Sequence, residues 1–354
     1  MATTTPSILL IPGDGIGPEV TEAAVAVLRA SGLPLQFAEA EAGWGTFQRQ
    51  GAALPDATLA AAQASDAILF GAVASPSHPV QGYRSPIVGM RRALDLYANI
   101  RPVTSIPATL AAGRAAVDLV VVRENTEGLY AGRERLEDGG ATAIAERVIT
   151  RAASERIVRT ALELARARGQ AAARPARVTV VHKANVLRET CGLFRSAALD
   201  VAAAFPDVAV DELLVDTAAL QLVQRPERFD VIVTTNLFGD ILSDIACYWG
   251  GGMGMASSAN LGRSTALFEP VHGAAPDIAG RGVANPLAAI GCAAMLLDHL
   301  AARVADPAPY LAAAQRTRAA ASATLAHGPA TPDLGGSATT AQVTAAVIEL
   351  IQSA

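Results

Sequence analysis

The 354-residue chain reads as an α/β protein built on a substantially parallel sheet. A strand, glycine turn and helix open it, short apolar runs of strand type recur along it, and stretches of helical periodicity alternate with those runs. Ile8 to Ile11 is the first run. Pro12-Gly13-Asp14-Gly15-Ile16-Gly17-Pro18-Glu19 follows as a turn, and apolar residues at helical spacing continue from about Val20 to Ala30. Ala67 to Ala74 is another strand ending in small residues, and Leu119 to Arg123, Val178 to His182 and Val231 to Thr235 repeat the pattern. Arg151 to Arg168 has helical spacing between two of them. Gly132 to Ala145, rich in glycine and charge and poor in periodicity, is expected as an exposed loop or a dimer arm.

The length suits two domains or one large unit that needs no disulfide or metal to hold its core. Hydrophobic residues make up 51% of the chain and charged residues 17%, which excludes a disordered protein. Every strongly apolar run is cut by glycine, proline or charge before the roughly 20 residues a membrane span needs. Met1 to Ser7 has neither signal-peptide nor transit-peptide character, so a cytoplasmic protein is expected. A net charge of -5 offers no basic field to a nucleic acid. Cys191, Cys247 and Cys292 lie far apart, fit no zinc spacing and are expected as reduced core residues. Lys183 is the sole lysine, all other positive side-chain charge being arginine. Lysine can be tuned for proton transfer and arginine cannot, which makes Lys183 a candidate against the alternative of a composition merely poor in lysine.

Gly13, Gly15 and Gly17 follow the order G-x-G-x-G-P, not the G-x-G-x-x-G of a Rossmann turn. Glu19 would repel a pyrophosphate placed as in that motif, so a tight turn is the reading. Asn236-Leu237-Phe238-Gly239-Asp240-Ile241-Leu242-Ser243-Asp244 follows a strand. If a helix begins near Gly239, Asp240 and Asp244 share its face at the first turn and their oxygens suit Mg²⁺ or Mn²⁺, with Asp216 as a third acid after another strand-like run. The alternative is that Asp240 caps the helix and Asp244 is solvated. Arg91, Arg92, Arg101 and Arg123 form a second group whose guanidinium groups could take carboxylates bidentately, or remain solvated or ion-paired. In His272-Gly273-Ala274-Ala275-Pro276-Asp277-Ile278-Ala279-Gly280 small residues permit close ligand approach and Asp277 could accept from ribose hydroxyls, though a plain surface loop has the same composition.

Taken together, these segments resemble the β-decarboxylating dehydrogenase family, whose members act on isocitrate, homoisocitrate, isopropylmalate and related 2-hydroxy acids. The motifs run in the family's order from Ile11–Glu19 through Arg123-Glu124-Asn125-Thr126-Glu127-Gly128-Leu129-Tyr130 and His182-Lys183-Ala184-Asn185-Val186-Leu187 to the Gly239–Asp244 and His272 segments. The resemblance implies an isopropylmalate dehydrogenase-like fold, not a Rossmann fold. Residues 1–98 and 252–354 would form a large domain on the nucleotide side, and 99–251 a smaller one for dimerisation, metal and catalysis, with a cleft between them.

It further implies that Arg91, Arg101 and Arg123 clamp substrate carboxylates, that Asp216, Asp240 and Asp244 hold Mg²⁺ or Mn²⁺, and that Lys183 and Tyr130 transfer protons. Lys183 and Asp216 would reach the site from the neighbouring subunit of a homodimer, alone or paired into a tetramer. Asp277-Ile278 matches the NAD-using pattern, with His272, Gly273 and Asn285 at the adenosine end. Ser85-Pro86-Ile87-Val88 and Asn125–Tyr130 are similar to the homoisocitrate branch of the fungal type, and Arg84 or Ser85 is expected to meet the distal carboxylate of a tricarboxylate. Isocitrate, isopropylmalate or malate-type activity is the alternative on the same scaffold, and a non-catalytic regulatory subunit the alternative of another class.

Overall fold

A computed structural model describes residues 5–78 and 80–353. Its elements begin with β1 (Ser7–Gly13), α1 (Gly17–Ala30), β2 (Gln36–Glu39), α2 (Trp44–Gln50), α3 (Asp56–Ala64), β3 (Ala67–Ala72) and α4 (Pro86–Ala93). They continue with β4 (Ala98–Thr104), α5 (Pro107–Ala111), β5 (Asp118–Glu124), β6 (Glu134–Glu137), β7 (Thr142–Ala145), α6 (Arg151–Ala172), β8 (Ala176–His182), α7 (Thr190–Ala202), β9 (Val208–Leu214), α8 (Val215–Gln224), β10 (Val231–Thr234) and α9 (Asn236–Cys247). The last are β11 (Ser257–Leu261), β12 (Ala266–Pro270), α10 (Leu287–Ala301), α11 (Ala308–His327) and α12 (Thr340–Gln352). No helix among the described residues is long and apolar enough to cross a membrane.

The chain divides into two compact units, one of Met1–Leu96, Ile106–Gly113 and Gly251–Ala354, the other of Tyr97–Ser105 and Arg114–Gly250. The middle segment is therefore interrupted: α5 lies against α11 and takes Ile106–Gly113 into the first unit.

In the first unit the strand order is β2-β1-β3-β12-β11, parallel except for the antiparallel β11–β12 pair. Every residue of β3 is buried, as expected of a parallel strand covered on both faces. Leu9, Ile11, Ile68 and Phe70 pack with Ala62, Met90 and Leu94 in one apolar layer, while Val27, Ile290, Val343 and Val347 join α1, α10 and α12 in another. The opening glycine turn serves this packing. Gly13 has φ +75°, and a Cβ there would lie 1.9 Å from the Ala72 carbonyl oxygen. Glu19 accepts from the Ala284 N–H at 3.0 Å and from the Thr340 hydroxyl, tying the start of α1 to that of α12.

In the second unit the order is β4-β5-β10-β8-β9, parallel except for β4–β5. Val121, Ile232, Leu222, Leu242 and Ala246 bind α8 and α9 to this sheet, and α6 runs along β5, β8 and β10. Within 132–145 the chain forms an antiparallel hairpin, β6–β7, with Leu136 70% exposed, and not an irregular loop. All three cysteines are free and buried.

Candidate active site

Two adjacent strands and one helix bring the first group of candidate residues together. In the β4–β5 register Asn99 lies opposite Arg123 and Arg101 opposite Val121. Side chains alternate along a strand, so Asn99, Arg101 and Arg123 project from one face. Helix α9 packs on both strands. It begins at Asn236 with Thr235 as its N-cap, three residues earlier than the sequence suggests, which excludes Asp240 as the cap. The four-residue spacing is unaffected, and Asn236, Asp240 and Asp244 form a polar stripe along one face. Close approach depends on Gly239, where a Cβ would stand 2.7 Å from Cβ of Arg123.

The two stripes are charge-complementary. Arg123, whose side chain is 2% exposed, ion-pairs with Asp240 and donates Nη2 to Asn236 Oδ1 at 2.7 Å. Arg101 donates Nε to Asn99 Oδ1 at 2.6 Å and Nη1 to Ser243 Oγ at 2.7 Å, and lies 3.2 Å from Asp240 and 3.6 Å from Asp244. Tyr130 donates its hydroxyl to Asp240 Oδ2 at 2.8 Å, with the Arg123 guanidinium 5.1 Å from its ring centroid. Burial and the negative charge of Asp240 raise the Tyr130 pKa above the ordinary phenol value. Burial, together with Asp240, raises that of Asp244 against the opposing charges of Arg101 and Arg123. The acceptors facing this region are the carboxylate oxygens of Asp240 and Asp244, a hard, anionic oxygen set that suits a divalent cation.

Sequence reasoning assigned no role to four residues that hold this group. Asn99, Asn236 and Ser243 orient the guanidinium groups, and the i, i+2 and i, i+4 spacings to Arg101 and Asp240 were signals for the first two. Glu124, 2% exposed, accepts from the Thr126 and Glu127 N–H groups at 2.8 and 3.0 Å and shapes the turn leading to Tyr130.

Lys183 and Asp216 form a separate pair. Lys183 follows β8, Asp216 lies in the first turn of α8, and Nζ stands 2.6 Å from Oδ1. The hydrogen bond from Lys183 holds Asp216 below the ordinary carboxylate range. Among the described residues no group of three or more His, Cys, Asp or Glu side chains is arranged to hold a metal, so one chain does not gather Asp216, Asp240 and Asp244.

The remaining candidates lie in the first unit. Arg91 is buried and paired with Glu269 at 2.9 Å, and Glu269 also accepts from Asn260 at 2.9 Å. Arg92 and Arg84 are exposed, and Ser85 is the N-cap residue of α4 with a hydroxyl that makes no capping bond. His272 sets Nδ1 3.0 Å from the Gly273 carbonyl, and burial lowers its pKa. Gly273 and Asp277 are exposed, and Ile278 is half-buried. Asn285 is engaged in the fold: its Oδ1 accepts from the Leu287 N–H at the start of α10 and its Nδ2 donates to Asp333, both at 3.0 Å.

Comparison with known proteins gives the arrangement its class. The isocitrate/homoisocitrate dehydrogenase of Thermus thermophilus is 53% identical over 346 residues, 98% of each chain. The 3-isopropylmalate dehydrogenase of Archaeoglobus fulgidus is 46% identical over 345 residues, 97% of this chain and 99% of its own. The crystal structure of isocitrate dehydrogenase from Methylococcus capsulatus superposes with a TM-score of 0.89 at 43% identity, covering 98% of this chain and 100% of that one. The protein is an oxidative, β-decarboxylating dehydrogenase. A model of the isocitrate/isopropylmalate dehydrogenase family matches residues 7–351, and the chain belongs to that family, whose members use NAD(P) with Mg²⁺ or Mn²⁺, act on small molecules and are typically dimeric.

Proposed function

We propose that this chain catalyses the NAD-dependent oxidative decarboxylation of homoisocitrate to 2-oxoadipate. The observation that carries the reading is the pair of buried guanidinium groups, Arg101 of β4 and Arg123 of β5, on one face of the paired strands against the aspartates of α9. Such groups bind carboxylates strongly because they are already desolvated and oriented. Arg91 supplies a third cation, and Ser85-Pro86-Ile87-Val88 supports a substrate longer than isopropylmalate, with Arg84 or Ser85 meeting its distal carboxylate.

Asp240, Asp244 and, from a second copy of the chain, Asp216 would hold Mg²⁺ or Mn²⁺, which when bound supplies Lewis-acid polarisation of the substrate, while NAD supplies the hydride acceptor. Lys183, also from the second copy, takes the proton of the C2 hydroxyl as that carbon is oxidised. Arg101 and Arg123 hold the remaining carboxylates while the β-carboxylate leaves as carbon dioxide. Tyr130 delivers a proton to C3, its raised pKa keeping the phenol protonated until that step. Asp277, exposed and anionic, accepts from ribose hydroxyls and repels a 2′-phosphate, beside Ile278, His272 and Gly273; Asn285 acts through the loop it anchors. Homodimers, alone or paired, would then carry complete sites, in the cytoplasm.

The Thermus relative bears both isocitrate and homoisocitrate in its name, so the test compares both acids and isopropylmalate. With Mn²⁺ present, kcat/KM is expected to be highest for homoisocitrate and for NAD over NADP. A higher value with isopropylmalate would overturn the substrate, and a preference for NADP would overturn the role of Asp277.

A further inference from the structure

The first unit contains an aromatic cluster to which the chemistry above gives no role. Trp44 and Phe47 stack with centroids 5.5 Å apart and planes at 18°, and Tyr83 meets them edge-on at 5.3 and 5.4 Å. All three are partly exposed, and none is among the residues of the two apolar layers described above. In a chain only 4% aromatic, this is a concentrated investment at one surface position.

A hydrogen-bonded base underlies the cluster. Asp14, beyond β1, accepts from the N–H groups of Trp44 at 2.7 Å, Gly45 at 2.9 Å and Ala74 at 3.0 Å. The Tyr83 hydroxyl donates to the Ala74 carbonyl at 3.1 Å. The Ala74 peptide groups are thus held on both sides, the N–H by Asp14 and the C=O by Tyr83. Arg84 and Ser85 come next in sequence, the guanidinium exposed and the hydroxyl making no capping bond. The last ring of the cluster therefore sits one residue before the two side chains assigned to the distal carboxylate.

We propose that Trp44, Phe47 and Tyr83 are positioning residues that set the reach of Arg84 and Ser85, and so select the length of the acid the enzyme accepts. The inference rests on the substrate reading above. Rings packed edge-to-face resist displacement, whereas side chains following an unanchored Tyr83 would sample many positions and lose their discrimination.

The test compares Tyr83→Ala, Tyr83→Phe and Trp44→Ala with the wild-type enzyme on homoisocitrate, isocitrate and isopropylmalate. Tyr83→Ala and Trp44→Ala should raise KM for homoisocitrate about tenfold, leave kcat within about twofold and NAD KM unchanged, and narrow the preference among acids. Tyr83→Phe, which keeps the ring, should recover most of the loss. In a Trp249→Phe background Trp44 is the remaining indole, and homoisocitrate added without NAD should shift its emission; Tyr83→Ala should abolish the shift. An unchanged ratio among acids in Tyr83→Ala, or an equal rise in KM for NAD and acid, overturns the inference while leaving the substrate reading intact. Silence of the wild-type enzyme with every acid overturns that reading first and this one with it.

Discussion

The cations Arg101 and Arg123 differ from Lys183 in how much of their surroundings holds them. Each arginine is almost fully buried, Arg101 against Asn99, Ser243, Asp240 and Asp244 and Arg123 against Asn236 and Asp240, whereas Lys183 is 24% exposed and its ion-pair partner, Asp216, is 63% exposed. Burying a charge costs several kcal/mol unless it is well partnered, so the arginines are integral to the second unit's stability and are fixed in advance. Lys183 and Asp216 need no such support, remain accessible, and can engage a partner outside their own chain. On the proposed roles, the charges that bind are built in and the charge that moves a proton is left accessible.

The largest expected effect lies on the exposed side. Lys183→Ala should lower kcat about 10³-fold with little change in melting temperature, and Lys183→Arg should not restore it, because arginine cannot release a proton. A rescue by arginine, read from steady-state rates, would show that only the charge matters. On the buried side, Asp240→Asn should cost about 3–5 kcal/mol in urea unfolding by removing the carboxylate paired with Arg123 and the nearer of the two beside Arg101, while Asp216→Asn should leave the unfolding midpoint almost unmoved. Similar losses for both would erase the contrast.

Gly239→Ala probes the contact that joins the stripes. A Cβ 2.7 Å from that of Arg123 must push α9 or the strand aside, at about 1–3 kcal/mol, and KM for the acid should rise with it. The smallest effect is in pH. Asp244 titrates above its ordinary value of 3.8, so its neutral form stabilises the fold below that pH and the benefit is lost as pH rises through the folded pKa. Asp244→Asn, which stays neutral, should gain melting temperature relative to wild type as pH rises from 3.8 in metal-free buffer. Asp216, held low by Lys183, should behave oppositely, its contribution present above 3.8 and disappearing as pH falls through its lower folded value. Parallel pH curves for the two Asn variants would contradict both assignments.

Much of this was legible in the chain. The apolar runs of β3 and of Val231–Val233 in β10 announce strands buried on both faces, and the alternation of strands and helices announces the parallel sheet. Asp240 and Asp244 share a helix face wherever α9 starts, so misplacing its first turn left their relation unharmed. The exposed hairpin was harder, because short strands with charged side chains carry no hydrophobic period. Asn285 shows another kind of information: nothing in its sequence neighbourhood reveals that the folded chain gives its amide partners at Leu287 and Asp333.

Local spacing and residue type alone determined the α/β class, the arginine and aspartate candidates and the singular lysine, since helical and strand periodicities translate directly into faces. Which charges meet was decided only in three dimensions. The register of β4 against β5 and the approach of α9 through Gly239 couple residues more than a hundred positions apart, and no local propensity encodes such long-range pairings.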